Sequence, residues 1–149
     1  VQNGGRNYLV PLDADMEHYT DIEDECISLN WIFSGMIECS GCLALVVCEA
    51  VRGNPFEKKF ENSGSRPIPP GLAPMTATSG SMVAFSAQPG TAISFEYSNE
   101  ECSVFTTALM EHLPTQDINL VQLMQRVATS VEVATDNQQV PWCNYKRVQ

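Results

Sequence analysis

The chain has 149 residues, enough for one domain with a hydrophobic core of its own. Hydrophobic residues make up 44% of it, a content typical of globular proteins that argues against disorder. The net charge of −10, without a large cluster of Lys and Arg, argues against a nucleic-acid partner, because phosphate binding needs basic patches. No run of about 18 apolar residues is present, so no membrane-spanning segment is predicted.

The six cysteines are spread along the chain instead of forming the dense framework of a small secreted domain. We therefore predict reduced thiols and a cytoplasmic location. Cys39 and Cys42 form one short-spaced pair, but no second pair or nearby histidine completes a zinc site, so we expect neither metal nor cofactor. The first six residues are polar, do not resemble a signal peptide and lack an initiator Met, which indicates a piece of a longer protein.

The first half of the chain predicts a strand, a helix and a second strand. Residues 8–12 form a short apolar run that ends at acidic residues, as strands before turns do. Residues 20–36 begin with capping and acidic residues and continue with an approximate helical period, with Trp31 and Met36 expected in the core. Residues 43–48 are continuously apolar, which is typical of a strand buried on both faces of a parallel sheet.

The second half predicts a long loop, a strand and two helices. Gly, Pro and Ser are concentrated in residues 52–80, which indicates a surface loop. A buried strand is predicted at 81–86, and helices at 104–113 and 118–131, the second with Asp117 as its N-cap. This order is typical of an α/β domain with a parallel sheet, in which ligands bind beyond the carboxyl ends of the strands. The segments that follow the strands are 13–15, 49–54 and 87–99.

The most informative motif begins in the third strand-like run. The apolar residues 43–48 are followed by Glu-Ala-Val-Arg at 49–52 and by Gly-Asn-Pro-Phe at 53–56. This stretch resembles the nucleophile strand of caspase, paracaspase and bacterial metacaspase-like peptidases, in which Asp-Ala-Cys-Arg is often followed by Asn-Pro-Phe. Val51 stands at the position of the nucleophilic cysteine, and a valine side chain has no heteroatom with which to attack a carbonyl.

The resemblance continues through nearly the whole chain. Residues 7–14 are similar to the family's Tyr-Leu-Val-Pro-Val-Asp-Ala strand, which follows the segment that bears the catalytic histidine; no such histidine is present in this chain. Further similar segments are the small-subunit strand at 85–92, the next helix at 103–113 and the closing segment at 139–142. The resemblance implies a caspase-like three-layer α/β sandwich with a mainly parallel sheet, whose N-terminal part is missing from this chain.

The same resemblance divides the domain into subunit-like parts. The large-subunit-like part would span about residues 1–60, the connecting loop about 57–80, and the small-subunit-like part about 81–149.

Three acidic residues follow predicted strands: Asp13, Glu49 and Glu96. In paracaspase-like and metacaspase-like relatives, acids at matching places line the pocket for a basic side chain; Asp13 and Glu49 match the motif, and Glu96 matches by position alone. Carboxylates that converge bind a guanidinium strongly and bidentately. The alternative is a solvated acidic rim on a chain that is acidic throughout.

No other residue is expected to replace the missing catalytic pair. Cys48 lies inside the apolar strand, so we predict a buried and inert thiol. His18 lies in an acidic loop and is predicted to be solvated. His112 lies near a helix C-terminus, where a cation is favoured, and is predicted to be structural.

Three functions stay open at this point. The first is a catalytically inactive, regulatory pseudo-peptidase that binds a peptide or protein with a basic residue, or an active homologue. The second is an active cysteine endopeptidase whose histidine lies upstream and whose cysteine is replaced here. The third is a docking or scaffold module. Truncation of the sheet before residue 1 predicts an open sheet edge, which favours homo-oligomers.

Overall fold

The computed structural model describes residues 1–38, 43–50, 53–54, 56–61, 69–93 and 102–148. In these ranges the strands are β1 Gln2–Asn3, β2 Arg6–Leu9, β3 Ile27–Ser28, β4 Ala44–Cys48, β5 Ser81–Phe85 and β6 Trp142–Lys146. The helices are α1 Ile22–Glu25, α2 Leu29–Ile37, α3 Glu57–Glu61, α4 Val104–His112 and α5 Leu120–Ala134.

The larger sheet has the strand order β4-β5-β6. β4 pairs with β5 in parallel, from Ala44 opposite Ser81 to Cys48 opposite Phe85. β6 pairs with β5 antiparallel, with Trp142 opposite Phe85. Mixed α/β content is confirmed. The prediction of a mainly parallel sheet is wrong, because β6, in the carboxyl-terminal tail, runs antiparallel to β5.

The smaller sheet, β1-β2-β3, is antiparallel throughout. It includes the strand predicted at 8–12, which ends at Leu9 and does not pair with the larger sheet. The single helix predicted at 20–36 is also wrong. Cys26 is extended (φ −116°, ψ 154°), Ile27 then pairs with Leu9, and Ser28 caps a new helix by accepting the backbone N–H of Trp31.

β5 lies between two helical layers, and its side chains alternate between them. Val83 and Phe85 pack in a core with Leu29 and Phe33 of α2. On the opposite face, Met82 and Ala84 pack against α4 and α5, including the buried residues Phe105, Leu123, Met124, Val127 and Val131. Complete burial of one such large apolar side chain stabilises a fold by roughly 1.5–3 kcal/mol, so β5 is the centre of the domain.

β4 and α2 are more exposed than the sequence predicts. Leu45 and Val47 on β4 are 36% and 38% exposed, so the prediction of burial on both faces is wrong for this edge strand. Trp31 is 73% exposed, and Met36 is also exposed, which corrects their assignment to the core. The helical period predicts a buried face of α2 with Trp31 and Met36, but the buried residues of this helix are Leu29 and Phe33.

The predicted surface loop at 52–80 contains ordered structure in the ranges that are described. α3 spans Glu57–Glu61, and Phe60 is buried with Tyr8, Met16 and Ile22 in a third hydrophobic cluster. Residues 71–77 are mostly buried, with Leu72 and Met75 in the core around β5. The prediction is therefore wrong for this segment, because its apolar side chains pack into the core instead of facing solvent.

Both carboxyl-terminal helices are confirmed, with small shifts at their ends. Ser103 caps α4 by accepting the backbone N–H of Thr106 over 3.0 Å. α5 begins with a capping box, in which Asn119 and Gln122 accept each other's backbone N–H groups. Asp117 is not the N-cap; its φ of 60° places it in the preceding turn. No helix formed by the described residues is long and apolar enough to cross a membrane.

Candidate functional site

The loop after β4 borders a cavity of about 270 Å³. The cavity is partly open to solvent and is lined by the first residues, β2, the loop after β4 and the segment that follows residue 68: Val1, Gln2, Tyr8, Leu9, Val10, Ala50, Gly53, Asn54, Pro69 and Gly71. These residues are apolar or neutral, and the volume suits one side chain rather than a large ligand. The cavity therefore borders Ala50 and Gly53, which flank the position of the family nucleophile in the sequence, and no charged side chain lines its described walls.

Two buried amides attach the walls of this cavity to each other. Asn7, beside Tyr8 on β2, donates from Nδ2 to the carbonyl of Ala73 over 2.8 Å and accepts the backbone N–H of Ala73 over 2.7 Å. Gln2 donates from Nε2 to the carbonyl of Pro70 over 3.0 Å. Because buried polar groups need partners, these bonds fix the segment after residue 68 against β1 and β2.

Glu49 is the predicted acid whose contacts are best defined. It follows β4 directly, it is exposed, and its carboxylate reaches the first turn of α4. Ser103 Oγ donates to Glu49 Oε1, and Thr106 Oγ1 donates to Glu49 Oε2 over 2.5 Å. A negative charge at the N-terminus of a helix interacts favourably with the helix dipole, and Glu49 contacts α4 at that end.

The other predicted acids are not brought to Glu49 by the described structure. Asp13 is exposed and follows β2, which belongs to the smaller sheet, so the argument from neighbouring parallel strands is wrong for this residue. Neither Asp13 nor Glu49 lines the described cavity walls. Glu96 and Val51 lie outside the described residues, as does the pair Cys39 and Cys42. The roles of Asp13, Glu49 and Glu96 in binding a basic side chain stay predictions.

Cys48 is the described cysteine nearest in sequence to the nucleophile position. It is half-buried at the end of β4 and packs against the core around β5, so it is less buried than predicted. Burial raises the pKa of the Cys48 thiol. A raised pKa leaves little thiolate at neutral pH, and the thiolate is the reactive form.

The two histidines lie in separate parts of the structure, and neither forms a pair with a nucleophilic cysteine in the part of the chain that the structure describes. His18 is exposed, and its backbone N–H donates to Asp21 Oδ2 over 2.7 Å. His112 is at the C-terminal end of α4, and its Nε2 lies 2.8 Å from Ser130 Oγ on α5. Nine helical residues span about 13 Å, so His112 is remote from the end of α4 that meets Glu49. The contact with Ser130 is consistent with a structural role.

In the described ranges, no group of three or more His, Cys, Asp or Glu side chains is placed to hold an ion.

Sequence reasoning missed the partners of Glu49. Ser103 and Thr106 have the spacing of an N-cap residue and its third helical position, which predicts a cap. They are 54 and 57 residues from Glu49, so no periodicity connects them to it. Sequence reasoning also missed β6. This strand is paired along one edge only, and its polar residues Asn144 and Lys146 interrupt the apolar pattern that would identify it.

The fold and the loop together define a class of protein. The structure has a parallel pair of strands, helices on both faces of the sheet and a loop at the carboxyl end of β4. These features are typical of α/β domains, in which the functional site lies at the carboxyl ends of the strands. The chain belongs to the caspase-domain family of peptidases: the family model described as "Caspase domain" matches residues 1–149. No curated protein matches the chain.

Proposed function

We propose that this caspase-family domain binds peptide or protein segments that carry a basic residue, without hydrolysing them, and thereby regulates their availability to active peptidases. Val51 at the nucleophile position is the observation that carries the proposal. Hydrolysis by a cysteine peptidase begins when a thiolate attacks the carbonyl carbon of the scissile bond. The valine side chain has only C–H and C–C bonds, so it supplies no electron pair for this step.

Cys48 does not restore the missing nucleophile. Its backbone carbonyl accepts the N–H of Ser86 over 3.2 Å, and its strand is fixed in register with β5. The thiol is half-buried and its pKa is raised by that burial. Nucleophilic cysteines instead lie in electropositive, accessible surroundings that lower the thiol pKa.

The binding half of the proposal is supported by Glu49 and by the charge of the chain. The Glu49 carboxylate is exposed and already held by two hydroxyl groups, so it loses little conformational freedom when a ligand binds. The net charge of −10 attracts basic segments over longer distances. Asp13 and Glu96 are the further acids proposed to contribute.

One observation favours the active endopeptidase as the second candidate. Val1 lines the same cavity as Ala50 and Gly53. In a longer protein, residues preceding Val1 would therefore enter beside the loop after β4. In caspase-like peptidases, the catalytic histidine lies in the segment before the strand that matches residues 7–14. An active endopeptidase would also need a cysteine at position 51.

Fluorescence anisotropy with a labelled Arg-containing peptide tests the proposal, with the same peptide containing citrulline as the neutral control. We expect the Arg peptide to bind, and Glu49→Gln to weaken its binding about tenfold, the loss expected for one charge-assisted contact. Glu111→Gln removes an exposed carboxylate at the other end of α4 and is the matched control, with affinity close to that of the native chain.

An arginyl acyloxymethyl ketone probe distinguishes binding from catalysis, because it alkylates a reactive thiol in a basic-specific site. We expect no labelled cysteine by mass spectrometry. A cysteine that is labelled, and protected by an excess of the Arg peptide, would overturn the proposal in favour of an active peptidase. If neither labelling nor binding of the Arg peptide occurs, the docking or scaffold module becomes the better account.

A further inference from the structure

The contact between Glu49 and α4 contains more hydrogen bonds than helix capping requires. Ser103 Oγ alone caps the helix, because it accepts the backbone N–H of Thr106 over 3.0 Å. Its hydroxyl hydrogen is then directed to Glu49 Oε1. The Thr106 hydroxyl adds a separate bond to Glu49 Oε2 over 2.5 Å, and this bond satisfies no backbone group of the helix.

The two hydroxyl groups fix the plane of the carboxylate. Each oxygen of Glu49 accepts one hydroxyl, and both hydroxyls belong to the same helical turn. A carboxylate has about four acceptor positions, so about one remains on each oxygen. A guanidinium presents parallel N–H groups that match a pair of carboxylate oxygens, whereas an ammonium is a point charge without this geometry.

We infer that Ser103 and Thr106 are positioning residues, which hold the Glu49 carboxylate in the orientation that receives a basic side chain and favours Arg over Lys. This inference rests on the proposed function, since it concerns the same site. The two residues act through Glu49 and do not themselves contact the ligand. Binding of an Arg side chain at Glu49 is consequently linked to the position of α4.

Thr106→Val is the variant that tests the inference, because it removes the hydroxyl and retains the cap supplied by Ser103. We expect its affinity for the Arg peptide to fall about five- to tenfold and its preference for Arg over an otherwise identical Lys peptide to decrease. Thr106→Ser restores the hydroxyl and should recover both values. Thr107→Val removes a neighbouring half-buried hydroxyl of α4 that makes no side-chain hydrogen bond among the described residues, and should change neither value.

A double-mutant cycle with Glu49→Gln separates positioning from a general effect on the helix. If Thr106 acts through Glu49, Thr106→Val lowers the affinity in the native background but changes it less than twofold in the Glu49→Gln background. An equal loss in both backgrounds would overturn the positioning role and leave the proposed function standing.

Thermal unfolding supplies a readout that needs no ligand. The contact predicts that Glu49→Gln and Thr106→Val lower Tm by less in combination than the sum of their single shifts. If this coupling is present but the native chain binds no Arg peptide, the proposed function fails and the positioning inference fails with it, leaving a helix contact. If the shifts add fully, the contact itself is overturned.

Discussion

Two segments border the cavity beside β2, and they are attached to the domain in opposite ways. The segment at 69–78 is held from inside the domain: the buried amide of Asn7 binds both backbone groups of Ala73, and the half-buried Asn144 accepts the N–H of Ala77 at Oδ1 over 2.7 Å. The loop after β4 is instead connected to α4 by the exposed carboxylate of Glu49. One wall of the cavity is therefore fixed by the interior, and the other is joined at the surface.

The difference shows which wall can respond to a ligand. A buried amide that loses its partner pays the full cost of desolvation, because no water replaces the bond. An exposed carboxylate is solvated in any case, so its contacts contribute little to stability and it stays accessible to a cation. We therefore expect substitutions in the 69–78 segment to change stability, and substitutions around Glu49 to change binding.

Gly71→Ala should have the largest effect on stability. Gly71 has a φ of +67°, and an added Cβ would lie 1.9 Å from the carbonyl oxygen of Thr91, a backbone atom that cannot move aside alone. Left-handed strain and overpacking each cost roughly 1–3 kcal/mol, so we expect a loss of about 4 kcal/mol in the free energy of unfolding, measured by urea denaturation.

Gly4→Ala is the matched control for the clash. Gly4 also has a positive φ, +55°, but an added Cβ would meet nothing within 4 Å. It should therefore show the conformational strain alone, roughly 1–2 kcal/mol. Equal losses for the two variants would mean that the close approach of Gly71 to Thr91 does not contribute, and the fixed wall would lose one of its supports.

Asn7→Leu should have the next largest effect. The substitution keeps the branched skeleton of the side chain but leaves the buried N–H and C=O of Ala73 without their partner. Each unsatisfied buried group costs roughly 1–3 kcal/mol, so we expect a loss of about 3 kcal/mol in the same urea experiment. Asn30→Leu, at an exposed position of α2, should change stability by less than about 0.5 kcal/mol. A loss at Asn7 no larger than at Asn30 would contradict the comparison.

The same contrast between local and distant contacts decides which elements the sequence could predict. The strand at 81–86 and the two carboxyl-terminal helices were predictable, because their apolar patterns are local and strong. The buried segment at 71–77 was not, because Pro and Gly are read as loop signals while its burial comes from contacts with residues more than 60 positions away.

The candidate site was predictable in part for the same reason. The motif at 49–56 identified the family and placed Glu49 at the carboxyl end of a strand, both of which are confirmed. The assignment of Asp13 to the same sheet failed, because strand pairing depends on partners that a short apolar run does not specify. The hydroxyl partners of Glu49 depend on how α4 meets the sheet, which local sequence does not encode.

Asp21→Asn should have the smallest effect, and its pH dependence tests the surface half of the comparison. Asp21 Oδ2 accepts the backbone N–H groups of His18 and Glu17 over 2.7 and 2.9 Å, and the bond from His18 is the main cause that lowers the pKa of this carboxyl. A lowered folded-state pKa stabilises the native state above the unfolded value, of about 3.9, and this contribution is lost as the pH falls through the folded value. The Tm difference between the native chain and Asp21→Asn should therefore be small at pH 7 and vanish in acid.

Asp15→Asn removes the same charge from an exposed carboxyl with no side-chain hydrogen bond among the described residues, and should give a smaller difference at pH 7. A difference for Asp21 that grows as the pH falls would show that the surface carboxylate does not stabilise its loop through these N–H groups.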